Sequence, residues 1–219
     1  MERSTTVFYD VDTQRDFLEP DGALYVPAGA AIGGQLARLT HLARGGVPRI
    51  RVLGSVCRHH PGDPELARNG GAYPDHCMDG TPGQRKIAAT APPAPRWIEN
   101  RAYDARELEV LCGAEALFFE KQEFDVLTGN RNAAVLLPRL LAGARDVIVY
   151  GVVTEVCVDH AVRALVGRGP LVHVVTDAIA AVERARAARC LEEWRAEGVD
   201  LTTADPVARA LDGAATERR

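Results

Sequence analysis

The sequence contains little lysine, few aromatic residues, no marked excess of charge and no long apolar run. Its apolar segments fall well short of the roughly 20 residues that a membrane-spanning helix needs, so we expect no membrane association. The net charge of −4 gives no basis for a nucleic-acid partner. Five cysteines at irregular spacing do not form a disulfide framework and suit a reducing compartment. With an N-terminal segment that lacks a signal-peptide profile, these features predict a cytoplasmic location.

The shortage of lysine makes each lysine a candidate for a special role. Lys86 and Lys121 are the only lysines among 26 basic residues, and all the others are arginines. A desolvated lysine can lose its proton, whereas arginine in effect cannot. Lys121 follows an apolar run and is therefore a candidate for proton transfer, while Lys86 falls in a loop-like region and is expected to be solvated.

What the sequence does contain is a regular alternation of apolar runs with helical stretches. Runs typical of buried strands lie at 6–11, 50–54, 116–120, 147–152 and 171–176, with a weaker run at 199–203. Helical periodicity covers 28–44, 132–141, 156–166 and 182–197. Near-continuous apolar strands between amphipathic helices indicate a parallel sheet covered on both faces. We therefore predict a single layered α/β domain over residues 1–219, with no linker.

Two segments depart from this alternation. The stretch from about residue 61 to 95 is rich in Gly, Pro and Asp and is too long for an ordinary connection, so we expect a functional loop or lid. The tail from about 208 to 219 is mostly polar or small, and we expect it to fray.

Chemically useful residues follow the ends of several predicted strands, where ligands of open parallel sheets bind. Asp12 follows the first strand, Lys121 follows the third, and Cys157 follows the fourth near the first turn of a helix. A thiol at a helix N-terminus faces unpaired N–H groups and the positive end of the helix dipole, which lower its pKa and can hold an oxyanion. These three residues could supply the base, cation and nucleophile of an acyl-transfer site.

Each of these residues also has a purely structural interpretation. Cys157 could be a buried structural cysteine, Asp12 a helix N-cap and Lys121 a solvated strand end. Asp10 and Asp16 compete with Asp12 for the role of the carboxylate. The convergence of three residue types on one sheet edge favours the catalytic interpretation.

Four motifs carry a resemblance to a known family. The segment Asp12-Thr-Gln-Arg-Asp-Phe17 resembles the DxQxDF signature of cysteine hydrolases in the isochorismatase-like superfamily, and Gly151-Val-Val-Thr-Glu-Val-Cys157-Val resembles their nucleophile segment. Glu120-Lys121-Gln-Glu-Phe124 fits the lysine segment, and the stretch from Pro74 to Gly83 resembles the PxHCxxGTxG element of nicotinamidase-like members. The motifs occur in the family's order and span nearly the whole chain.

The resemblance implies a Rossmann-like three-layer α/β sandwich whose six-stranded sheet is mainly parallel. It also implies a catalytic triad in which Cys157 attacks a carbonyl carbon. Asp12 would take the thiol proton and pass it to the leaving amine, and Lys121 would support both groups electrostatically.

Further site residues come from the same resemblance. A cis peptide is implied between Val152 and Val153, with the amides of Val153 and Cys157 forming the oxyanion hole. Gln14, Phe17 and Phe124 are expected to contact the substrate.

The expected metal site is less complete. Nicotinamidase-like members bind a divalent metal, commonly zinc, through an Asp-x-His pair and a later His, and here His60 and His76 match the two histidines. Arg58 stands at the aspartate position, where it cannot ligate a cation, and is instead expected to bind an anionic substrate group. We therefore expect no required cofactor. A rearranged zinc site that adds His59, Cys57 and Cys77 to these two histidines remains the alternative.

These inferences predict a cysteine-dependent amidohydrolase that acts on a small amide or carbamoyl compound through a thioester-type acyl-enzyme. The alternatives are a nicotinamidase with an altered metal site, an isochorismatase-type vinyl-ether hydrolase, which Cys157 disfavours, and a catalytically silent binding subunit. The expected partner is a small-molecule amide, and the family implies a homo-oligomer, either a dimer or a tetramer.

Overall fold

A computed structural model of the protein describes residues 6–45 and 50–216. Its strands are β1 (Thr6–Val11), β2 (Arg51–Cys57), β3 (Arg96–Ile98), β4 (Ala116–Lys121), β5 (Asp146–Val152), β6 (Leu171–Ala180) and β7 (Asp200–Thr202). They form one sheet in the order β3-β4-β2-β1-β5-β6-β7, and every neighbouring pair is parallel. The predicted parallel α/β sheet is confirmed, with seven strands where six were expected.

The additional strand is β3, a short edge strand that pairs with β4 through Arg96–Ile98. Three residues are too few to produce a recognisable pattern, and Arg96 at its start is exposed. The predicted weak run at 199–203 corresponds to β7 at the opposite edge of the sheet.

The helices are α1 (Arg15–Leu18), α2 (Gly29–Gly45), α3 (Ala105–Cys112), α4 (Val126–Gly129), α5 (Ala133–Leu141), α6 (Asp159–Leu165), α7 (Arg184–Ala196) and α8 (Ala204–Thr216). A 3-10 turn covers Ala67–Asn69, and a π-helical turn covers Thr154–Val158. The tail predicted to fray from residue 208 is instead helical through Thr216, because α8 buries Ala204 and Val207 against the sheet. Residues 217–219 lie outside the described residues.

Two apolar cores, one on each face of the sheet, make the fold three-layered. Residues of α4, α5, α6 and α7 pack on one face, with the fully buried Trp194 among them. Residues of α1, α2 and α8 pack on the other face, including Phe17 and Leu36. Among the described residues, no helix has the length and apolar character needed to cross a bilayer.

The strand register brings the predicted site residues to one sheet edge. Val11, the last residue of β1, lies opposite Ser55 of β2 and Gly151 of β5. Cys57, the last residue of β2, lies opposite Lys121, the last residue of β4. Because parallel strands end together, the residues that follow β1, β2, β4 and β5 meet at this edge.

The segment from 61 to 95 returns to the same edge of the sheet. Ile87 N–H donates to Thr13 O, and Arg15 N–H donates to Arg85 O. A short bridge also joins His59 to Met78. These backbone contacts hold the loop against the residues that follow β1 and β2.

Candidate active site

Asp12 and Lys121 form a buried ion pair, with 3.0 Å between Lys121 Nζ and Asp12 Oδ2. Asp12 has φ 48, a left-handed conformation that interrupts the alternation of the strand. Ser55 donates to the second carboxylate oxygen, Oδ1, at 2.8 Å. The tertiary structure thus fixes both oxygens of this carboxylate.

Lys121 stays positively charged in this environment. Burial alone would lower the pKa of Lys121, but Asp12, Cys157 and Cys57 outweigh burial and hold this pKa well above its usual value. This direction is opposite to the proton loss suggested for a desolvated Lys121 and favours a side chain that keeps its positive charge.

Cys157 lies in the π-helical turn with 7% of its surface exposed. Lys121 Nζ is 3.4 Å from its sulfur. A hydrogen bond with Cys57 and burial raise the pKa of Cys157 well above its usual value, and Lys121 offsets this only in part. The lowered pKa predicted from the helix N-terminus is therefore wrong, so the resting thiol carries its proton and needs a base during attack. The Asp12 carboxylate and the Cys157 sulfur lie within 4.8 Å of one another.

Cys57 belongs to the same cluster, although sequence reasoning considered it only as a zinc ligand. Its sulfur lies 3.3 Å from Lys121 Nζ and 3.7 Å from Asp12 Oδ2. The signal for this placement was its position at the end of the strand beside β1. Two thiols, one carboxylate and one ammonium group therefore share a single buried cluster.

The backbone before Cys157 has the geometry that the resemblance implied. The Val152–Val153 peptide bond is cis, and Val153 O accepts from the amides of Val156 and Val158 at 3.0 and 3.1 Å. Just before it, Gly151 has φ +126, and a Cβ there would lie 2.0 Å from Val11 O. Only glycine allows β5 to pass β1 this closely.

The competing carboxylates have other partners. Asp10 pairs with Lys86 at 2.9 Å, and Asp16 accepts from the amides of Ala23 and Cys77 at 3.0 and 2.6 Å. The prediction that Lys86 is solvated is wrong, because only 3% of its side chain is exposed. Of the three candidate aspartates, Asp12 is the one in the thiol cluster.

A mostly apolar cavity of about 210 Å³ adjoins the two thiols. Both cysteines line it, together with the apolar and aromatic side chains of Phe17, Tyr73, Phe124, Val156 and Val182. Phe17 and Phe124 thus lie where a substrate contact was predicted. This volume is below the roughly 300–1,000 Å³ of pockets for drug-sized ligands, so the cavity suits a small molecule.

Gln14 does not line this cavity, contrary to expectation. Its Nε2 donates to Cys57 O at 2.7 Å and to Gln84 O at 2.6 Å, while its Oε1 accepts from Cys57 N–H at 2.7 Å. The fully buried amide therefore fixes the backbone of Cys57 and the loop rather than a substrate.

Arg58 is also placed differently from the prediction. Its guanidinium binds both oxygens of Glu120 at 2.7 and 2.8 Å and Asp79 at 2.8 Å. Two carboxylates already neutralise this charge, and Arg58 is not part of the cavity that holds Cys157. The expectation that Arg58 binds an anionic substrate group is therefore wrong.

His59, and not His60, lies beside His76. The prediction that His60 pairs with His76 in a metal site is therefore wrong. Successive residues of an extended strand point to opposite sides, so His59 shares the side of Cys57 while Arg58 points away. The His59 and His76 rings lie 4.6 Å apart, and each is fully or almost fully buried. His60 is exposed.

The donor atoms around these two rings fit a divalent metal such as zinc. His59 Nδ1 contacts Asp63 at 3.2 Å and His76 Nδ1 contacts Pro74 O at 2.8 Å, which turns both Nε2 atoms toward Glu65 Oε1, 3.8 Å from each. Such partners commonly orient metal-binding histidines.

Other properties of the cluster agree with a metal site. The buried His59 Nε2 and Glu65 Oε2 have no hydrogen-bond partner within the described part of the chain. Burial and His76 lower the pKa of His59 to about 4, so its imidazole is neutral and able to ligate at pH 7. Cys57 Sγ lies within 4.8 Å of a ring nitrogen of each histidine. The cluster favours the rearranged zinc site over the expected absence of a cofactor, except that Cys77 is not part of it.

Comparisons with known proteins agree with this fold. A family model described as the isochorismatase domain matches residues 7–206. This chain therefore belongs to the isochorismatase family, which confirms the resemblance inferred from the motifs. Isochorismatase domain-containing protein 1 of Danio rerio is 33% identical over 97 residues, which are 44% of this chain and 33% of that protein. The chain thus matches only a third of the length of this relative.

Two solved structures have the same fold. Pyrazinamidase of Pyrococcus horikoshii in complex with zinc aligns with TM-score 0.70 and 22% identity, covering 91% of this chain and 99% of that one. N-carbamoylsarcosine amidase from Thermoplasma acidophilum aligns with TM-score 0.66 and 21% identity, covering 92% and 97%. At these identities the likeness establishes the fold.

Proposed function

We propose that this protein is a cysteine-dependent amidohydrolase that acts on a small amide or carbamoyl compound. The observation that carries the proposal is the contact of Lys121 with both Asp12 and Cys157 beside an apolar cavity. The amidases among the structural neighbours support the C–N bond as the target.

In the proposed reaction, Cys157 Sγ attacks the substrate carbonyl carbon while Asp12 takes the thiol proton. This coupling is needed because the buried thiol is protonated at rest. The backbone amides of Val153 and Cys157 would stabilise the oxyanion. As the C–N bond breaks, Asp12 returns the proton to the leaving amine, and water then hydrolyses the thioester with Asp12 again as the base.

Lys121 contributes charge without exchanging a proton. It pairs with Asp12 at 3.0 Å, and it balances the thiolate that forms during attack. Its position between carboxylate and sulfur keeps the base directed at the nucleophile.

His59, His76 and Glu65 would hold a divalent metal, with Cys57 as a neighbouring thiol donor. When bound, such a metal supplies a Lewis acid that can position a heteroatom of the substrate. This cluster favours a second candidate function, that of a nicotinamidase with an altered metal site, because His76 also lines the cavity.

The test is ammonia release from a panel of aromatic amides, aliphatic amides and carbamoyl compounds. We expect release from at least one class by the wild type, and loss of that release in Cys157→Ala. Cys190→Ala, a half-buried cysteine on α7, serves as the matched control and should retain the activity. Activity that survives in Cys157→Ala would rule out the mechanism.

Repeating the panel after chelation and after zinc addition separates the two candidates. Turnover of pyridine carboxamides that disappears on chelation and returns with zinc would favour the nicotinamidase. Turnover that is unchanged by the chelator would favour the metal-independent amidase. Vinyl-ether cleavage without ammonia release, or no turnover at all, would favour the remaining alternatives.

The proposal includes a dimer or tetramer in the cytoplasm, which rests on the family resemblance and the composition. Analytical ultracentrifugation at micromolar concentration tests the assembly, and a single monomeric species would contradict it.

A further inference from the structure

Two buried thiols face each other across one lysine. Lys121 Nζ lies 3.3 Å from Cys57 Sγ and 3.4 Å from Cys157 Sγ, and the two sulfurs lie within 4.8 Å of one another. The proposed hydrolysis uses one nucleophile, and the second sulfur takes no part in the bonds that form and break. All five cysteines of the chain are free thiols in this structure.

We propose that Cys57 and Cys157 form a reversible disulfide when the protein meets a peroxide, so that Cys57 protects Cys157 from irreversible oxidation. The inference concerns the thiols themselves and does not require that the amidohydrolase proposal be correct.

The chemistry takes place in two balanced steps. The sulfur of Cys157, after losing its proton, attacks one peroxide oxygen. The S–O bond forms as the O–O bond breaks, and the other oxygen takes up a proton and leaves as water or an alcohol. The sulfur of Cys57 then attacks the sulfenic sulfur, so that the S–S bond forms, the S–O bond breaks and water leaves. Overall the two thiols lose two hydrogens, and the peroxide gains two electrons.

The arrangement of the cluster supports both steps. Both cysteines line the cavity, which gives a small peroxide a path to the sulfur of Cys157. The charge of Lys121 stabilises whichever sulfur is ionised, because the ammonium group contacts both. Asp12, within 4.8 Å of both sulfurs, can accept the proton that each step releases.

The bond requires the sulfurs to approach to about 2.05 Å. Cys57 is held at the end of β2, where Gln14 binds its N–H and its carbonyl group. Cys157 lies in the short π-helical turn outside the sheet. The approach therefore depends on a shift of this turn toward the strand.

The remaining cysteines do not share this environment. Cys77 Sγ contacts Gly83 O at 3.9 Å, Cys112 ends α3 and Cys190 lies on α7. They provide internal controls, since oxidation of exposed or isolated thiols gives no bond between Cys57 and Cys157.

The experiment is mass spectrometry of the whole protein and its peptides after treatment with hydrogen peroxide under non-reducing conditions. A chelator is added first, because a metal bound by Cys57 would compete with oxidation. We expect the wild type to lose two hydrogen masses, to yield a linked peptide pair containing Cys57 and Cys157, and to recover both thiols on addition of dithiothreitol.

The Cys57→Ser variant should behave differently because it lacks the second sulfur. Cys157 should then gain two or three oxygens, and dithiothreitol should not reverse the change. Cys57→Ala gives a second test if the serine variant fails to fold, and Cys190→Ser should retain the wild-type behaviour.

Three results would overturn the proposal. The first is irreversible oxygen addition at Cys157 of the wild type while Cys57 remains a free thiol. The second is an unchanged mass after peroxide treatment, and the third is a disulfide that joins other cysteines. Because the readout is mass, a protein without amidase activity can still pass or fail this test.

Discussion

Both lysines of the chain form buried ion pairs with aspartates at the end of β1, but the two pairs have different surroundings. Lys86 meets Asp10 at 2.9 Å, also donates to Thr13 at 2.7 Å, and lies 4.5 Å from the centre of the Phe118 ring. Lys121 meets Asp12 at 3.0 Å and contacts two thiols beside the cavity. The first pair is enclosed by hydroxyl and aromatic groups, whereas the second adjoins reactive sulfur.

The surroundings also shift the pKa values of the two lysines in opposite directions. Burial lowers the pKa of Lys86, and Asp10 offsets this only in part. For Lys121, Asp12 and the two sulfurs outweigh burial and raise the pKa. The Lys86–Asp10 pair thus holds a loop against the sheet, whereas the Lys121–Asp12 pair places a positive charge beside two thiols. The chemistry of an ion pair is decided by its neighbours rather than by the pair itself.

The largest effect is expected when the Lys121 pair is broken. Lys121→Met leaves the Asp12 carboxylate without its cation and the thiol without its counter-charge, so we expect kcat/KM to fall by about 10²–10⁴. Steady-state ammonia release measures the change. Lys121→Arg should not restore the activity, because the guanidinium cannot fill the ammonium position. Near-normal turnover in the methionine variant would refute the role given to this lysine.

Breaking the Lys86 pair should mainly affect stability. Lys86→Met strands a buried Asp10 carboxylate, and removal of one partner of a buried pair costs about 3–5 kcal/mol of unfolding free energy. Urea denaturation measures this cost. The double variant Lys86→Met/Asp10→Asn should recover much of it, because no buried charge remains.

The neighbouring exposed residue provides the control for this comparison. Arg85→Gln should change the unfolding free energy by no more than about 0.5 kcal/mol. If Lys86→Met were as mild as Arg85→Gln, the enclosed pair would not hold the loop.

A smaller effect is expected at His59, His76 and Glu65, the residues that we propose to hold a metal, beside the loop that Lys86 anchors. Asp63→Ala removes the partner of His59 Nδ1 and should weaken zinc binding by about 10–100-fold. His59→Ala should weaken it further, whereas His60→Ala should leave it unchanged. Competition with a chromophoric chelator measures the affinities. Equal losses in the His59 and His60 variants would contradict the assignment of His59.

The smallest effect is expected at the start of α3, far from both lysines. The amide of Asp104 and the guanidinium of Arg101 lower the pKa of Glu107, so its stabilising contribution is present above its unfolded pKa and is lost as the pH falls through the folded pKa. Glu107→Gln should lower the melting temperature by less than about 3 °C at pH 7. The difference from wild type should shrink near pH 3, and a constant difference would contradict the charge-based cap.

The central strands of the sheet could be predicted from the sequence because they depend on local patterns of apolar residues. Near-continuous apolar runs predicted β1, β2, β4, β5 and β6, since such runs are typical of strands buried on both faces. The predicted ends of β2 and β6 fall three and four residues short of Cys57 and Ala180. The helix α3 was missed, although its capping box from Asp104 to Glu107 is a recognisable start signal. The strand β3 was missed because three residues carry no period.

The candidate site was predictable only in outline. Asp12, Lys121 and Cys157 could be named because each follows a strand of one parallel sheet. The histidine that lies beside His76 differs by one residue from the prediction, because the family motif places a histidine before proline, as His60 stands before Pro61. Because alternate residues of the extended chain after β2 point to opposite sides, His59 is the histidine that faces His76.

The sequence by itself determined the alternation of the main strands with helices, the family and the three residues of the proposed triad, because these are encoded in local pattern and in motif. Only the tertiary structure decided what surrounds each charge. Residues far apart in the chain meet in the fold: Lys86 pairs with Asp10, Arg58 binds Glu120 and Asp79, and Cys57 contacts Lys121. Such contacts depend on strand register and side-chain direction, and a one-residue change in register turns every side chain to the other face.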